Sequence, residues 1–265
     1  MVDPAGLPDP DSARSALEMA RSNGVTDPRE LDLLARVART SRVLGRFLGR
    51  KPASLARLAQ SAGRTKTAEE HVAAARALRA AGFPLVPAMR DYRNVETARV
   101  LLDDLQGHPV RGVAQEIADI ASACFVLAIE EVIVETPLDD ERKQPIPFTV
   151  FGMGKLGGRE LNYSSDVDVI YVYGTDRGAA ADGKSPHEWF AGAAARITRS
   201  LADVTEDGVA FRVDLDLRPE GKRGPPVNSL RSLEVYYESY GATWERAAWL
   251  RARPVAGDAA LGTTV

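Results

Sequence analysis

The sequence predicts an α+β protein: a helical region over residues 1–137, then a small mixed β-sheet flanked by helices over residues 138–265. Three observations carry that expectation. The first half is rich in Ala, Leu and Arg, and its apolar residues recur at helical spacing. The composition then changes at Thr136-Pro137-Leu138-Asp139-Asp140, a charged, proline-flanked segment that reaches about Pro147 and reads as a boundary loop. Beyond it, apolar residues cluster or alternate in short runs, Thr149 to Met153, Asp166 to Gly174 and Phe211 to Leu217, separated by turns, as strands require.

Taken in order, residues 1–12 are rich in Pro, Asp and Gly and are expected to fray. Asp27 can cap a helix whose first residue is Pro28, with Glu30 placed to reach back. Leu34, Val37, Leu44 and Leu48 follow on one stripe with Ser41, as if one helix ran through them. Further helices are expected around 52–62, 66–81, 90–106 and 110–136, the last with Val113, Ile117, Ile120, Cys124 and Leu127 on one side. No fixed-period repeat stands out. After the strand pair, Gly178 to Lys184 is a loop, and Ser185-Pro186-His187-Glu188 is a capping box for a helix that turns Phe190, Ala194, Ile197 and Leu201 inward. Asp207-Gly208 turns the chain into the third strand, and the basic loop Arg218 to Pro226 ends it. From about Ser229 the chain is expected to be helical, with Trp244 and Trp249 in the core and Arg246 and Arg253 on one helical face. The last nine residues carry too little apolar content to close a domain, so a longer parent chain is expected.

The 265 residues are 45% hydrophobic and 27% charged, an ordinary globular composition that suits one large domain or two small ones. A net charge of −3 offers no basic field for nucleic acid. The single cysteine, Cys124, excludes an internal disulfide framework and suits a reducing compartment. Met1 to Ser12 has neither the basic start nor the apolar run of a signal peptide. No apolar run is expected to reach the roughly 18 residues of a membrane span. Together these features predict a cytoplasmic protein with no nucleic-acid or membrane partner. Cys124 is expected to be a buried small hydrophobe, His71 to lie on an exposed helix and His108 in a turn, and no His/Cys spacing suggests zinc.

The chemistry concentrates between Phe148 and Tyr173. Gly152, Gly154 and Gly157 match the pattern G-x-G-x-x-G after a strand, the fingerprint of a dinucleotide fold. That fold needs a crossover of a dozen or more residues before the next parallel strand, and only residues 158–165 separate Gly157 from Asp166. The Rossmann reading therefore fails, and no P-loop Gly-Lys-Ser or Gly-Lys-Thr is present. Asp166 and Asp168 are two apart in an apolar strand, hence on one face. Carboxylates beside a core are costly unless something pairs them, and Mg²⁺ takes one or two carboxylates plus substrate phosphates. Val213-Asp214-Leu215-Asp216-Leu217 repeats the alternation; if the strands are neighbours, Asp214 or Asp216 completes an acidic triad. Glycine turn, paired acids and a distant strand acid form the nucleotidyltransferase pattern of the DNA polymerase beta-like superfamily.

A closer resemblance is carried by Gly152 to Tyr173 (GMGKLGGRELNYSSDVDVIYVY) and by Asp207 to Asp258 (DGVAFRVDLDLRPEGKRGPPVNSLRSLEVYYESYGATWERAAWLRARPVAGD). These strings resemble the bifunctional glutamine synthetase adenylyltransferase/adenylyl-removing enzymes, strongly over 150–258 and weakly over the helical part from about 85. Members are several times longer and hold two nucleotidyltransferase domains. The N-terminal one removes AMP from a tyrosine of glutamine synthetase by phosphorolysis, and the C-terminal one adds AMP from ATP. The position of the motif and the wording LNYSSDVD and TWERAAWLRAR resemble the N-terminal copy. The resemblance implies Asp166, Asp168 and Asp214 as catalytic ligands of Mg²⁺, with Mn²⁺ as the alternative. Gly152, Gly154, Lys155, Ser165 and Arg218 are implied to bind the nucleotide or phosphate. Glutamine synthetase, phosphate and the adenine nucleotides ADP and ATP are the implied partners, with the PII signalling protein acting on the full-length enzyme. The alternatives are an adenylyltransferase domain and a nucleotide-binding regulatory module without turnover. One departure stands out: the family pattern VDLRLRP reads VDLDLRP here, so Asp216 replaces a usual arginine.

Overall fold

The computed structural model describes residues 10–134, 137–180 and 182–265. Among the described residues seven α-helices come first: α1 (Pro10–Ser22), α2 (Pro28–Thr40), α3 (Arg42–Arg50), α4 (Pro52–Ser61), α5 (Ala68–Ala80), α6 (Leu85–Asp104) and α7 (Val110–Ile129), the last continued by a π-helical turn, Glu130–Val134. The expected frayed start lies outside the described residues up to residue 9, and residues 10–12 already belong to α1. Asp27 caps α2 as its sequence implies, accepting from the Arg29 N–H. The expected single helix through Ser41 is instead two. Ser41 takes an extended backbone and its hydroxyl accepts from the Leu44 N–H, so it ends α2 and caps α3. The apolar stripe survives because both helices face the same core, which α1 to α4 share with Val95, Ala98, Leu101 and Leu102 of α6.

The second half holds β1 (Phe148–Gly152), the one-turn helix α8 (Gly154–Gly157), β2 (Val167–Tyr173), α9 (Pro186–Ala202), β3 (Val213–Asp214), β4 (Val227–Ser229), α10 (Leu230–Ser239), α11 (Thr243–Ala248), β5 (Arg253–Gly257) and α12 (Ala259–Thr264). The sheet runs β3-β2-β1-β5, with β4 pairing the far half of β2. β1 is antiparallel to β2 and β5, whereas β3 and β4 are parallel to β2, so the sheet is mixed. The antiparallel β1–β2 pair removes the dinucleotide reading on geometry, since that motif needs parallel neighbours. The Ser185 capping box forms as expected, and Phe190, Ala194, Ile197 and Leu201 are buried.

Side chains alternate across the strands. Val167, Val169, Tyr171 and Tyr173 enter the main core with α7 and α9, while Ile170 and Val172 pack on the other face with Phe151, Met153 and Leu233. The main core draws on both halves of the chain, and Leu138 and Ile146, within the segment read as a boundary loop, are buried in it. Thr136 and Ala181 lie outside the described residues.

Several expectations are corrected. The third strand is only Val213–Asp214, because the chain turns at Asp216. The segment after Ser229 is not helical throughout: β5 adds a strand beside β1, so Arg246 sits on α11 and Arg253 on a strand, not on one helical face. The tail contributes α12, whose Leu261 is buried. Trp244 is 59% exposed rather than in the core, whereas Trp249 packs edge-on against Phe151 and Tyr237. His71 is fully buried, not exposed, with Nδ1 2.6 Å from the Tyr92 hydroxyl. The apolar run in α7 is longer than expected. Val110–Ile133 is long and apolar enough to cross a membrane, but 78% of its most apolar window is buried within the fold, which is the environment of a core helix.

Candidate active site

Asp168 and Asp214 stand directly opposite each other on the parallel strands β2 and β3, one step beyond the Val167–Val213 pair. The valines turn to the main core, so period-two alternation puts Asp166, Asp168, Arg212 and Asp214 together on the other face. Asp168 is the one residue of β2 that is not fully buried. Burial raises its carboxyl pKa above the ordinary aspartate value, Asp214 and Asp166 add to the rise, and Lys155 opposes it. Like charges directly opposite across strands are destabilising, so this pair of carboxylates is costly unless a proton or a cation relieves it.

The glycine turn lies against the same pair. Gly154 has φ +49°, and a β-carbon there would come within 3.0 Å of Asp168 Oδ2. Only glycine leaves that space clear. Gly157 is closed in from both sides by the Arg251 and Gly152 carbonyl oxygens, and Gly152 is pressed by Val255 and Leu156. These two glycines allow α8, β1 and the chain before β5 to approach each other. Lys155 is exposed at the turn. Arg253 donates to the Gly157 carbonyl at 3.3 Å and Arg159 bonds Asp119 of α7, so the turn is tied to β5 and to the helical layer.

Other predicted site residues are engaged elsewhere. Asp166 is half-exposed and forms an ion pair with Arg212. Ser165 donates its hydroxyl to Asn162 Oδ1. Arg218 donates to the Leu215 and Gly224 carbonyls at 2.8 and 3.2 Å, fixing its own loop. Asp216 does not share a strand face with Asp214; its N–H donates to Asp214 Oδ1 at 2.7 Å, and its carboxylate meets Lys222 at 3.2 Å. The replacement of the family's arginine thus falls on a turn, outside the acidic pair. Sequence reasoning missed Arg212. The signal was present, since Arg212 precedes Asp214 by two residues in an alternating run and so shares its face.

Among the described residues no three metal-capable side chains stand close enough together to hold an ion, Asp166 being drawn to Arg212. The residues nevertheless fit a hard cation that keeps water and substrate oxygens in its shell. Two carboxylates face each other without an ion-pair partner among the described residues, and the space beside Asp168 is one that a β-carbon at position 154 would fill.

A small mixed sheet, a glycine turn against its first two strands and carboxylates on adjacent strands place this molecule in the nucleotidyltransferase class. The chain belongs to the glutamate-ammonia ligase adenylyltransferase family, whose model matches residues 31–265. It is similar to proteins described as bifunctional glutamine synthetase adenylyltransferase/adenylyl-removing enzymes. That of Nitrosococcus oceani is 40% identical over 189 residues, covering 68% of this chain and 19% of the relative. Those of Stenotrophomonas maltophilia and Chromobacterium violaceum are 36% and 37% identical, covering 88% and 85% of this chain and 25% and 26% of the relatives. The chain therefore spans about a quarter of their length or less, and its match lies in their N-terminal half.

Proposed function

We propose that this chain removes AMP from the adenylylated tyrosine of glutamine synthetase by phosphorolysis, releasing ADP and unmodified glutamine synthetase. The observation that carries the chemistry is the Asp168–Asp214 pair beside the Gly154 turn. An N-terminal match supports removal over addition, because the family resemblance assigns removal to the N-terminal domain. An oxygen of inorganic phosphate attacks the adenylyl phosphorus, the new P–O bond completes ADP, and the bond to the tyrosine oxygen breaks. Phosphate is already an anion, so the attack needs no strong general base.

Asp168 and Asp214, joined by Asp166, would hold Mg²⁺ or Mn²⁺. When bound, that ion supplies neutralisation of charge on the adenylyl phosphate and on the departing phenolate. Gly154 leaves room for phosphate oxygens beside Asp168, and Lys155 brings a positive charge to the same turn. Ser165 and Arg218 would contribute only after leaving the partners they now hold. Control by PII protein would act on the longer enzyme.

The test is ADP release from adenylylated glutamine synthetase and inorganic phosphate. Asp166→Asn with Asp168→Asn is expected to reduce release at least about 100-fold, the scale of lost electrostatic catalysis; undiminished release would refute the site. Supplying ATP with unmodified glutamine synthetase tests the opposite direction, and AMP transfer at a comparable rate would favour the adenylyltransferase reading.

A further inference from the structure

Arg212 occupies the fourth corner of the acidic face, next to Asp166 across the β2–β3 pair, and its position is held at two points. Nε donates to Asp166 Oδ1, and Nη2 donates to the Ser164 carbonyl at 2.6 Å. Of the three carboxylates assigned above, Asp166 is the one with an ion-pair partner among the described residues. Asp168 faces another carboxylate, and Asp214 accepts from a backbone N–H. With Asp166 Oδ1 paired to Arg212, no three carboxylates stand together among the described residues, so bringing Asp166 to an ion shared with Asp168 and Asp214 means moving it off the guanidinium, and the two cations compete for Asp166. The side chains of Arg212 and Asp166 are 63% and 48% exposed, so burial does not lock the pair together. Solvent screens such a pair, and a displaced guanidinium there is solvated rather than stranded.

We propose that Arg212 is a positioning residue, the exchangeable counter-ion of Asp166, which a divalent cation must displace and which thereby sets the cation affinity of the site. The inference rests on the reading that Asp166, Asp168 and Asp214 form a cation site. The arginine is suited to the role by its fork, which reaches carboxylate and carbonyl together. A lysine keeps the charge but grips a single point.

The experiment is Mn²⁺ titration of the purified chain by calorimetry, with far-UV circular dichroism to confirm folding. Arg212→Ala is expected to tighten Mn²⁺ binding about three- to fivefold, the scale of an exposed ion pair. Arg212→Lys should tighten it less but measurably, although it leaves the net charge unchanged. In an Asp166→Asn background the Arg212→Ala effect should vanish. Unchanged or weaker binding by folded Arg212→Ala overturns the proposal, as does equal tightening with Asp166→Asn, which would mark a through-space charge effect. Asp168→Asn separates this outcome from failure of the underlying reading. If Mn²⁺ binding is absent from the parent chain, or persists undiminished in Asp168→Asn, the cation site itself is wrong and the proposal falls with it. Should Arg212→Ala not fold, Arg212→Gln takes its place.

Discussion

A β-carbon on Gly157 would lie 1.9 Å from the Arg251 carbonyl oxygen and 2.3 Å from that of Gly152, both of them backbone atoms. Neither can yield without parting α8 from β1 and from the chain that leads into β5. Gly157→Ala is therefore expected to destabilise by about 3 kcal/mol or more, read as a lowered denaturant midpoint. Asp168 behaves in the opposite sense. Burial and then Asp214 raise its folded pKa, so its ionisation opposes folding. Below the pKa of the unfolded aspartate it costs nothing, and the penalty enters as pH rises through the raised folded value. Asp168→Asn should accordingly stabilise the chain by roughly 0.2–1 kcal/mol at neutral pH while abolishing activity, with no gain at pH 3. Glu116 supplies the contrast. Burial alone would push its carboxyl up, but the His71 ring nitrogen 3.4 Å away and the hydrogen bond and charge of Arg99 hold it at about 2. Its contribution is present above the unfolded value of 4.5 and is lost as pH falls towards about 2. Glu116→Gln should cost about 1–3 kcal/mol at neutral pH, because the buried Arg99 loses one of its carboxylates while keeping Glu96 and Asp103, and should flatten the acid limb of a stability–pH curve.

Helix boundaries with a polar cap were legible where the cap was local. Thr67 and Ser185 each open a helix with a reciprocal capping box, and the Ser185 box was expected from four consecutive residues. Ser185→Ala should cost about 1 kcal/mol in urea unfolding, without altering Mn²⁺ affinity. Ser41 shows the limit of the same signal. A serine on a continuous apolar stripe gives period-based reasoning no cause to end a helix, and its extended backbone is fixed by the turn between α2 and α3. β5 was missed for a related reason. Arg-Pro-Val-Ala-Gly has little strand propensity, and it pairs only because β1 offers an open edge, with a register shift between Val150 and Phe151 to accommodate it.

The two halves of the molecule are joined through α6. Its Val95, Ala98, Leu101 and Leu102 belong to the helical core, while Met89, Tyr92 and Val100 belong to the core beneath the sheet. Arg90, fully buried on the same helix, donates to the carbonyls of Ser200, Leu201 and Asp203 where α9 ends. Those carbonyls are among the orphan acceptors of a helix C-terminus. Arg90→Met should leave the Ser200 and Asp203 carbonyls unpaired, Leu201 keeping the Ala210 and Phe211 N–H groups, and cost at least about 2 kcal/mol. Both halves should still melt together, seen as coincident near- and far-UV transitions, because α6 is shared by both cores; two separated transitions would contradict that. Such a brace could not be read from the sequence, since nothing local distinguishes Arg90 from the exposed arginines of neighbouring helices.

The sequence alone determined the fold class, the glycine turn, the acids of β2 and the failure of the dinucleotide reading, because each follows from spacing along a single element or between consecutive ones. It also determined that Asp214 or Asp216 could face those acids, but not which. Only the tertiary structure decided that. β3 ends at Asp214 and the chain turns, so Asp214 meets Asp168 in register and Asp216 leaves for Lys222. The same register sets Arg212 beside Asp166. Cross-strand partners are fixed by hydrogen bonding between segments far apart in the chain, and spacing within one segment carries no information about it.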